Sequence, residues 1–155
     1  MGGETFTLRA RADRIEERAD GSACIVDFKT GAPPSSREVF AGFSPQLTLE
    51  AAMLMAGAFP GFRRTDRVPD LLYVHASGGR KAFTPVPVKP PRGDVRSVEA
   101  IVAEHAARLR GLVARFTTGE AAYVSRPYPK YARDYGSYDH LARVLEWSLA
   151  GEGEA

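Results

Sequence analysis

Apolar and polar residues alternate, though unevenly, in two neighbouring stretches near the start of the chain. The first, from Thr5 to Glu17, contains neither proline nor glycine, and the second, from Ser22 to Thr30, is rich in β-forming residues. Between them lies Ala19-Asp20-Gly21. A three-residue hairpin loop usually combines a type I turn with a third residue in the left-handed region, where glycine is favoured. The pattern therefore predicts a β-hairpin with Gly21 at that third position.

The predicted loop also sets the register of the hairpin. Arg18 and Ser22 face each other next to the loop. Counting outward along both strands from this pair places Ile15 opposite Ile25. Strand alternation then places two sets of side chains on opposite faces. The face expected to meet the core carries Leu8, Ala10, Ala12, Cys24, Val26 and Phe28, and the other carries Arg9, Arg11, Asp13, Ile15, Ile25, Asp27 and Lys29.

Apolar residues at helical spacing and helix-capping residues predict four helices farther along the chain. Ser35 and Glu38 have the spacing of a capping box, which begins the first helix. The second runs from Ser44-Pro45 to about Phe59 and is apolar nearly all round, so we expect it to pack against a sheet. The third extends from Val95 to Phe116, and the fourth from Asp139 to Leu149.

Two further strands are predicted between the second and third helices. They extend from Asp70 to Ser77 and from Lys81 to Val88, with a turn at Gly78-Gly79. Four prolines between Pro85 and Gly93 indicate a loop or the edge of a sheet. This order of strands and helices predicts an α/β or α+β fold with a central mixed β-sheet flanked by helices.

Length and composition are those of an ordinary globular domain. The 155 residues are 44% hydrophobic and 26% charged, and the formal net charge of +2 is too small to indicate nucleic-acid binding by itself. We expect a single domain over residues 1–150 and a frayed tail over 151–155. Because the chain enters its first strand almost at once, we expect it to be a C-terminal fragment of a longer protein.

Cysteine usage and apolar runs limit the chemistry and the compartment. Cys24 is the single cysteine, which excludes an internal disulfide and a cysteine-only metal cluster within this chain. The sequence has no signal peptide and no apolar run of membrane-spanning length. We therefore expect a cytoplasmic protein with no membrane partner.

The predicted register brings two acidic side chains together. Asp13 and Asp27 face each other with Cβ atoms roughly 5 Å apart, and like charges in that position destabilise a sheet. A hard cation such as Mg²⁺ would remove the conflict, because it prefers oxygen ligands. Lys29 lies on the same face as Asp27. Spacing alone leaves two interpretations, a metal-dependent phosphodiesterase site and an ordinary surface salt bridge.

The sequence around these residues resembles the PD-(D/E)xK nuclease superfamily, and its RecB-type branch in particular. The motifs that carry the resemblance are Arg11-Ala12-Asp13-Arg14-Ile15, Ile25-Val26-Asp27-Phe28-Lys29-Thr30-Gly31 and Pro45-Gln46-Leu47. The stretches Pro45 to Ala52 and Tyr138 to Ser148 are similar to the C-terminal nuclease domain of AddB subunits of AddAB helicase–nucleases, of the α-proteobacterial type. The resemblance implies a restriction-endonuclease-like core.

The resemblance also implies a role for each site residue. Asp13, Asp27 and the backbone carbonyl of Phe28 would bind Mg²⁺ or Mn²⁺. Lys29 would orient the attacking water or stabilise the phosphate, and Gln46 would contact that lysine or the DNA backbone. Some AddB relatives carry an iron–sulfur cluster, but one cysteine cannot supply it, so none is expected within this chain.

For several charged and aromatic residues, the sequence allows two interpretations. Arg9 and Arg11 either hold DNA phosphates or are solvated strand charges. Glu50, at the position where the branch has tyrosine, either reaches the site or pairs with a nearby arginine. The tyrosine-rich segment 123–138 either stacks on single-stranded DNA or packs against the domain or a partner subunit.

The implied function is a Mg²⁺- or Mn²⁺-dependent deoxyribonuclease domain that acts as an exonuclease in a bacterial helicase–nuclease for double-strand break repair and recombination. Its partners would be DNA and a helicase subunit of the AddA type. The alternatives are a non-catalytic DNA-binding or scaffold domain with a vestigial site, and a CRISPR-associated nuclease of the same branch. Family members carry a further acidic or histidine ligand on an upstream helix absent from this chain, which leaves the activity of the isolated chain open.

Overall fold

A computed structural model of the chain describes residues 5–79 and 82–121. This part contains four strands and three helices. In chain order they are β1 (Arg14–Glu17), β2 (Ala23–Lys29), α1 (Ser36–Phe40), α2 (Gln46–Met55), β3 (Asp70–Ala76), β4 (Phe83–Pro87) and α3 (Val98–Thr117). The expectation of an α+β fold with a mixed sheet and flanking helices is confirmed.

The four strands form one sheet in the order β1-β2-β3-β4. β1 and β2 are antiparallel, β2 and β3 are parallel, and β3 and β4 are antiparallel. The parallel pairing requires the crossover that α1 and α2 supply between β2 and β3. This crossover places α2 beside the central strands.

The hairpin between β1 and β2 has the predicted loop and register. Gly21 adopts a φ of 74°, its amide donates to the carbonyl of Arg18 at 2.9 Å, and the Arg18 amide donates to the Ser22 carbonyl at 2.8 Å. Ile15 lies opposite Ile25, as expected. The third residue of the loop has a left-handed backbone conformation, which glycine adopts without steric cost.

The first strand is shorter than the sequence predicts. Pairing begins at Arg14, whereas residues 5–12 have no regular secondary structure. In the same register the earlier residues would face a stretch that contains Gly31, Pro33 and Pro34. Proline has no amide proton to donate to a ladder, so the second strand offers no partner there.

The prediction of which sheet face meets the core was wrong. Ile25, Leu71 and Tyr73 share one face of the sheet and belong to the hydrophobic core, together with residues of all three helices. This is the face that also carries Asp27. On the opposite face, Phe28 is 43% exposed although Val26 is buried. Both faces of β2 are therefore largely covered, which removes the polar side that alternation needs to distinguish them.

Helix boundaries follow local capping chemistry. The predicted capping box is present, because Glu38 accepts from the Ser35 amide and the Ser35 hydroxyl accepts from the Glu38 amide. α2 begins one residue later than expected, with Pro45 as its N-cap, and ends earlier, at Met55. α3 begins at Val98, and Ser97 accepts from its first turn through the Ala100 amide at 3.1 Å.

His105 connects α3 to α2 inside the core. The histidine is buried, and its Nδ1 lies 2.8 Å from the hydroxyl of Thr48, which donates in turn to the Pro45 carbonyl at 2.8 Å. A hydroxyl has one proton, so Nδ1 is the donor toward Thr48. Burial lowers the pKa of His105 below its usual 6.5, and the Glu104 carboxylate opposes this shift.

The chain forms two compact units, residues 1–114 and 115–155. The strands, α1, α2 and most of α3 belong to the first unit, and the described residues of the second are 115–121. The predicted C-terminal helix and the tyrosine-rich segment lie outside the described residues, so the expected single domain over 1–150 stays a prediction. In the described part of the chain, no helix has the length and apolar character needed to cross a membrane.

Replacing Gly21 by alanine should destabilise the fold by about 1–2 kcal/mol, because a Cβ strains the left-handed conformation although the space around it is open. Gly31→Ala is the matched control, since Gly31 also has open space but no positive φ. Urea denaturation should show a change below about 0.5 kcal/mol for this control. Equal effects of the two substitutions would contradict the account of the loop.

The contribution of His105 to the free energy of unfolding should fall as the pH decreases below about 6.5. The unfolded chain takes up a proton at His105 in that range while the buried side chain resists it, by at most about 1.4 kcal/mol per pH unit for one proton. In His105→Asn, which keeps a donor for Thr48, the dependence between pH 7.5 and 5.5 should be weaker. His75→Asn is the control, and an unchanged slope in His105→Asn would refute the assignment.

Candidate functional site

The candidate site lies at the carboxyl end of β2, where α2 begins. Asp27 and Lys29 are two residues apart on β2 and point to the same side of the sheet. Gln46, the first residue of α2, meets them from the helix. The site is therefore built on the face that forms the hydrophobic core, beside a helix N-terminus whose partial positive charge favours an anion.

Asp27 is the buried centre of the site. Its side chain is 3% exposed, and its two oxygens have different partners. Oδ1 accepts from Gln46 Nε2 at 2.8 Å, and Oδ2 lies 2.7 Å from the ammonium nitrogen of Lys29. Burying a carboxylate is unfavourable unless it is paired and hydrogen-bonded, and both conditions are met here.

The side-chain amide of Gln46 joins three charged groups. Its Nε2 donates to Asp27 at 2.8 Å and to Glu50 Oε1 at 3.3 Å, while its Oε1 accepts from Lys29 Nζ at 3.4 Å. An amide has two donor protons on nitrogen and an acceptor oxygen, so this one orientation satisfies all three contacts. Gln46 thus fixes the positions of the carboxylates and the lysine relative to one another.

Asp13 lies at the rim of the site, directly before β1. Its Oδ2 accepts from the backbone amide of Phe28 at 3.0 Å. One more step of the hairpin register places Asp13 opposite Asp27, as the sequence predicts, but the side chain rather than the backbone makes the bond to β2. The structure thus brings together Asp13, Asp27, Lys29 and Gln46.

Glu50 also contacts this group of side chains, through Gln46, and its role in the site stays a prediction. It is 3% exposed and bonded to Gln46, and its second oxygen, Oε2, is buried without a hydrogen-bond partner among the described residues. Burial raises the pKa of Glu50, and the negative charges of Asp27 and Asp13 raise it further. The i, i+4 spacing from Gln46 is the sequence signal that places Glu50 on the same face of α2.

Tyr73 and His75 on β3 are neighbours of the site that sequence analysis missed. They pair with Asp27 and Lys29 in the parallel ladder, and the Lys29 nitrogen lies 6.0 Å from the centre of the Tyr73 ring. Burial raises the pKa of Tyr73, as do the charges of Asp27 and Glu50. The sequence holds no local signal for this contact, because it depends on the pairing of two strands far apart in the chain.

The remaining predicted residues are less closely tied to the site. Arg9 and Arg11 are exposed in the irregular segment before β1, so the expected strand does not present them on the face of Asp27. Their contact with DNA stays a prediction. The carbonyl of Phe28 as a metal ligand likewise stays a prediction.

The site supplies oxygen donors of the kind that a hard divalent cation takes. Mg²⁺ is usually held by one or two carboxylates together with water and substrate phosphates. Asp27 lies on β2, Asp13 accepts from the β2 backbone at Phe28, and Glu50 has a buried oxygen with no partner among the described residues. In the described part of the chain, no group of three or more Asp, Glu, His or Cys side chains is placed so that it could hold a metal ion. The donor set fits a cation bound partly by water or phosphate.

Comparison with curated proteins finds relatives in Rickettsia species. An uncharacterized protein of Rickettsia typhi is 37% identical over 59 residues, which are 38% of this chain and 7% of the relative. One from Rickettsia conorii is 39% identical over 57 residues, 37% of this chain and 7% of the relative. The matched part of this chain thus spans a small fraction of these much longer proteins. No solved structure matches the chain.

A profile of the PD-(D/E)XK nuclease superfamily matches residues 1–130. That range includes all the strands and helices of the described residues, along with the candidate site. The mixed sheet with flanking helices agrees with the restriction-endonuclease-like fold of these nucleases. This chain therefore belongs to the PD-(D/E)XK nuclease superfamily.

Proposed function

We propose that this chain is a metal-dependent DNA nuclease domain that hydrolyses phosphodiester bonds. The observation that carries the proposal is the buried Asp27 carboxylate, which is held between the Lys29 ammonium at 2.7 Å and the Gln46 amide at 2.8 Å. A surface salt bridge would be solvated and would contribute little to stability. Here the Asp27 carboxylate is buried, and Asp13 accepts a hydrogen bond from the backbone amide of the next residue in β2, Phe28.

Mg²⁺ or Mn²⁺ is the cofactor that this proposal requires. Asp13 and Asp27, with the carbonyl of Phe28, would hold it. Such an ion stabilises charge on the phosphate and lowers the pKa of the attacking water. The membership in a superfamily whose nucleases generally use divalent metals supports the same assignment.

Lys29 is the residue that reaches toward the substrate. Its side chain is 33% exposed, whereas Asp27 is buried beneath it. The ammonium can therefore contact a phosphate or a water molecule at the surface while remaining paired with Asp27. Positive charge at this point would stabilise the negative charge that builds up on the phosphate during hydrolysis.

Gln46 acts as a positioning residue in this proposal. Its contacts to Asp27, Lys29 and Glu50 hold the polar groups at fixed separations before substrate arrives. Preorganised groups of this kind do not have to rearrange during the reaction. α2 is anchored by buried Leu47, so the amide is supported by the core itself.

We further infer that the domain is part of a longer helicase–nuclease of the RecB type and resembles the AddB nuclease domain. The matching motifs around Asp13, Asp27 and Gln46 support this inference, as does the small fraction of its relatives that the chain covers. In that setting it would act as an exonuclease on DNA in the bacterial cytoplasm, during break repair and recombination, with a helicase subunit of the AddA type as its partner.

Asp27→Asn and Lys29→Met should each lower the rate of Mn²⁺-dependent cleavage of linear DNA by about 100-fold or more, because each removes a charge from the reacting site. Asp66→Asn and Lys89→Met are matched controls at exposed positions and should leave the rate unchanged. Circular dichroism checks that every variant is folded. Retained cleavage in both site variants would reject the proposed site.

If the intact protein that contains this domain binds DNA but cleaves neither single- nor double-stranded substrate with Mg²⁺ or Mn²⁺, the result would instead favour the non-catalytic alternative. The same assay distinguishes the mode of attack. An exonuclease degrades linear DNA and leaves a closed circle intact, whereas an endonuclease cuts both.

Gln46→Glu should destabilise the chain more than Gln46→Ala in buffer with EDTA. The alanine loses hydrogen bonds to Asp27 and Lys29, at a cost of about 1–2 kcal/mol. The glutamate additionally places a negative charge against Asp27 and Glu50. Urea denaturation at pH 7 measures both free energies of unfolding. The reverse order would show that Gln46 does not hold these carboxylates in place.

A further inference from the structure

We propose that His75 and Thr84 extend the candidate site across the sheet and bind the phosphate backbone of the DNA strand next to the bond that is cleaved. This inference rests on the proposed function, because it assigns the path that the substrate takes away from Lys29. It starts from the register of three neighbouring strands and from two side chains whose polar atoms have no partner.

The register places three polar side chains in one row across the sheet. In the parallel pairing of β2 with β3, Lys29 lies opposite His75, and in the antiparallel pairing of β3 with β4, His75 lies opposite Thr84. Residues that face each other in a ladder point to the same side of the sheet. Since neighbouring strands are about 4.8 Å apart, this polar row spans roughly 10 Å from β2 to β4. It begins at the lysine of the candidate site and leads away from it.

The polar row lies where this face of the sheet changes from core to surface. Two residues earlier on β3, Tyr73 is buried in the core, and Val86 opposite it on β4 packs against that core. His75 and Thr84 are the next pair on the same face, and both are partly exposed. The row contains no carboxylate that would repel an anion. A ligand at the carboxyl end of β2 and β3 can therefore reach both side chains.

The side chains of His75 and Thr84 are free to bind a ligand. In the described part of the chain, neither is hydrogen-bonded or ion-paired to another residue. A neutral imidazole and a hydroxyl each have one proton to donate. The Lys29 ammonium, by contrast, already lies 2.7 Å from an oxygen of Asp27. The row thus adds two uncommitted donors to a lysine that is held at the reacting site.

The sugar–phosphate backbone of DNA is the ligand that this row fits. Phosphate oxygens accept hydrogen bonds from neutral side chains as well as from cations, and such contacts position a nucleic acid without reading its sequence. Each strand of duplex DNA carries one phosphate per 3.4 Å of helix axis, so a row of roughly 10 Å covers more than one phosphate. With one phosphate at Lys29, a neighbouring phosphate lies within reach of His75 and Thr84.

The first test removes the donors and measures binding of a labelled single-stranded oligonucleotide to the 155-residue chain by fluorescence anisotropy, in EDTA so that the probe is not cleaved. His75→Ala and Thr84→Val should each raise the Kd about 3- to 10-fold, because each loses one hydrogen bond. Valine keeps the branched shape that suits a strand. His75→Gln, which keeps an N–H donor, should bind more tightly than His75→Ala. Binding like that of the wild type in both His75→Ala and Thr84→Val would overturn the inference.

The second test adds a positive charge to the row, so that the expected effect is a gain that misfolding cannot produce. Thr84→Lys should lower the Kd about 3- to 10-fold at low salt and steepen the dependence of log K on log salt concentration by about 0.7. Phe83→Lys is the matched control, because Phe83 is the preceding residue, is 68% exposed and points to the opposite face of the sheet. An added charge that attracts DNA without a defined contact would act equally at both positions. Equal effects of the two substitutions would therefore overturn the inference.

The outcomes separate this inference from the proposed function. If Asp27→Asn abolishes cleavage while all variants of His75 and Thr84 bind DNA like the wild type, the polar row is wrong and the nuclease proposal stands. If the row variants change DNA binding as expected but the intact protein that contains this domain cleaves no DNA, the nuclease proposal fails and the row is supported as a DNA contact. A wild-type chain without affinity for DNA would overturn the row.

Discussion

The three-residue loop that ends at Gly21 determines how β1 and β2 align, and the rest of the site depends on that alignment. Moving the register by one residue would reverse the face to which each side chain of the shifted strand points. Ile15 would then leave the core, and Asp13 would no longer stand opposite Asp27. A single left-handed residue thus controls both the packing of the hairpin and the meeting of its acidic groups.

The site shares one face of the sheet with the hydrophobic core. Asp27 lies between Ile25, which is fully buried, and Lys29, which is partly exposed, so polarity changes along one strand within a few residues. Withdrawal from water strengthens each interaction within the site. It also makes the site costly to maintain, since a buried carboxylate that loses its partner destabilises the fold.

Local chemistry could be predicted from the sequence, whereas the packing of distant segments could not. The Gly21 loop and the Ser35 capping box each depend on a few adjacent residues, and both are confirmed. The face of β2 that meets the core was assigned wrongly. Ile25 and Val26 point to opposite faces and both are buried, so the alternation of apolar and polar residues does not show which face meets the core. The contact of Tyr73 with Lys29 arises from a parallel pairing that no neighbouring residue encodes.

Among the described residues β4 is one edge strand of the sheet, and its sequence makes it a poor partner for a further strand. Val88 donates to the Leu71 carbonyl at 2.9 Å, so the amides of even-numbered residues along β4 point inward and those of odd-numbered residues point outward. Pro85 and Pro87 occupy two of the outward positions and have no amide proton to offer. A strand from another molecule would find two donors missing there. The prolines therefore disfavour edge-to-edge pairing of another strand with β4.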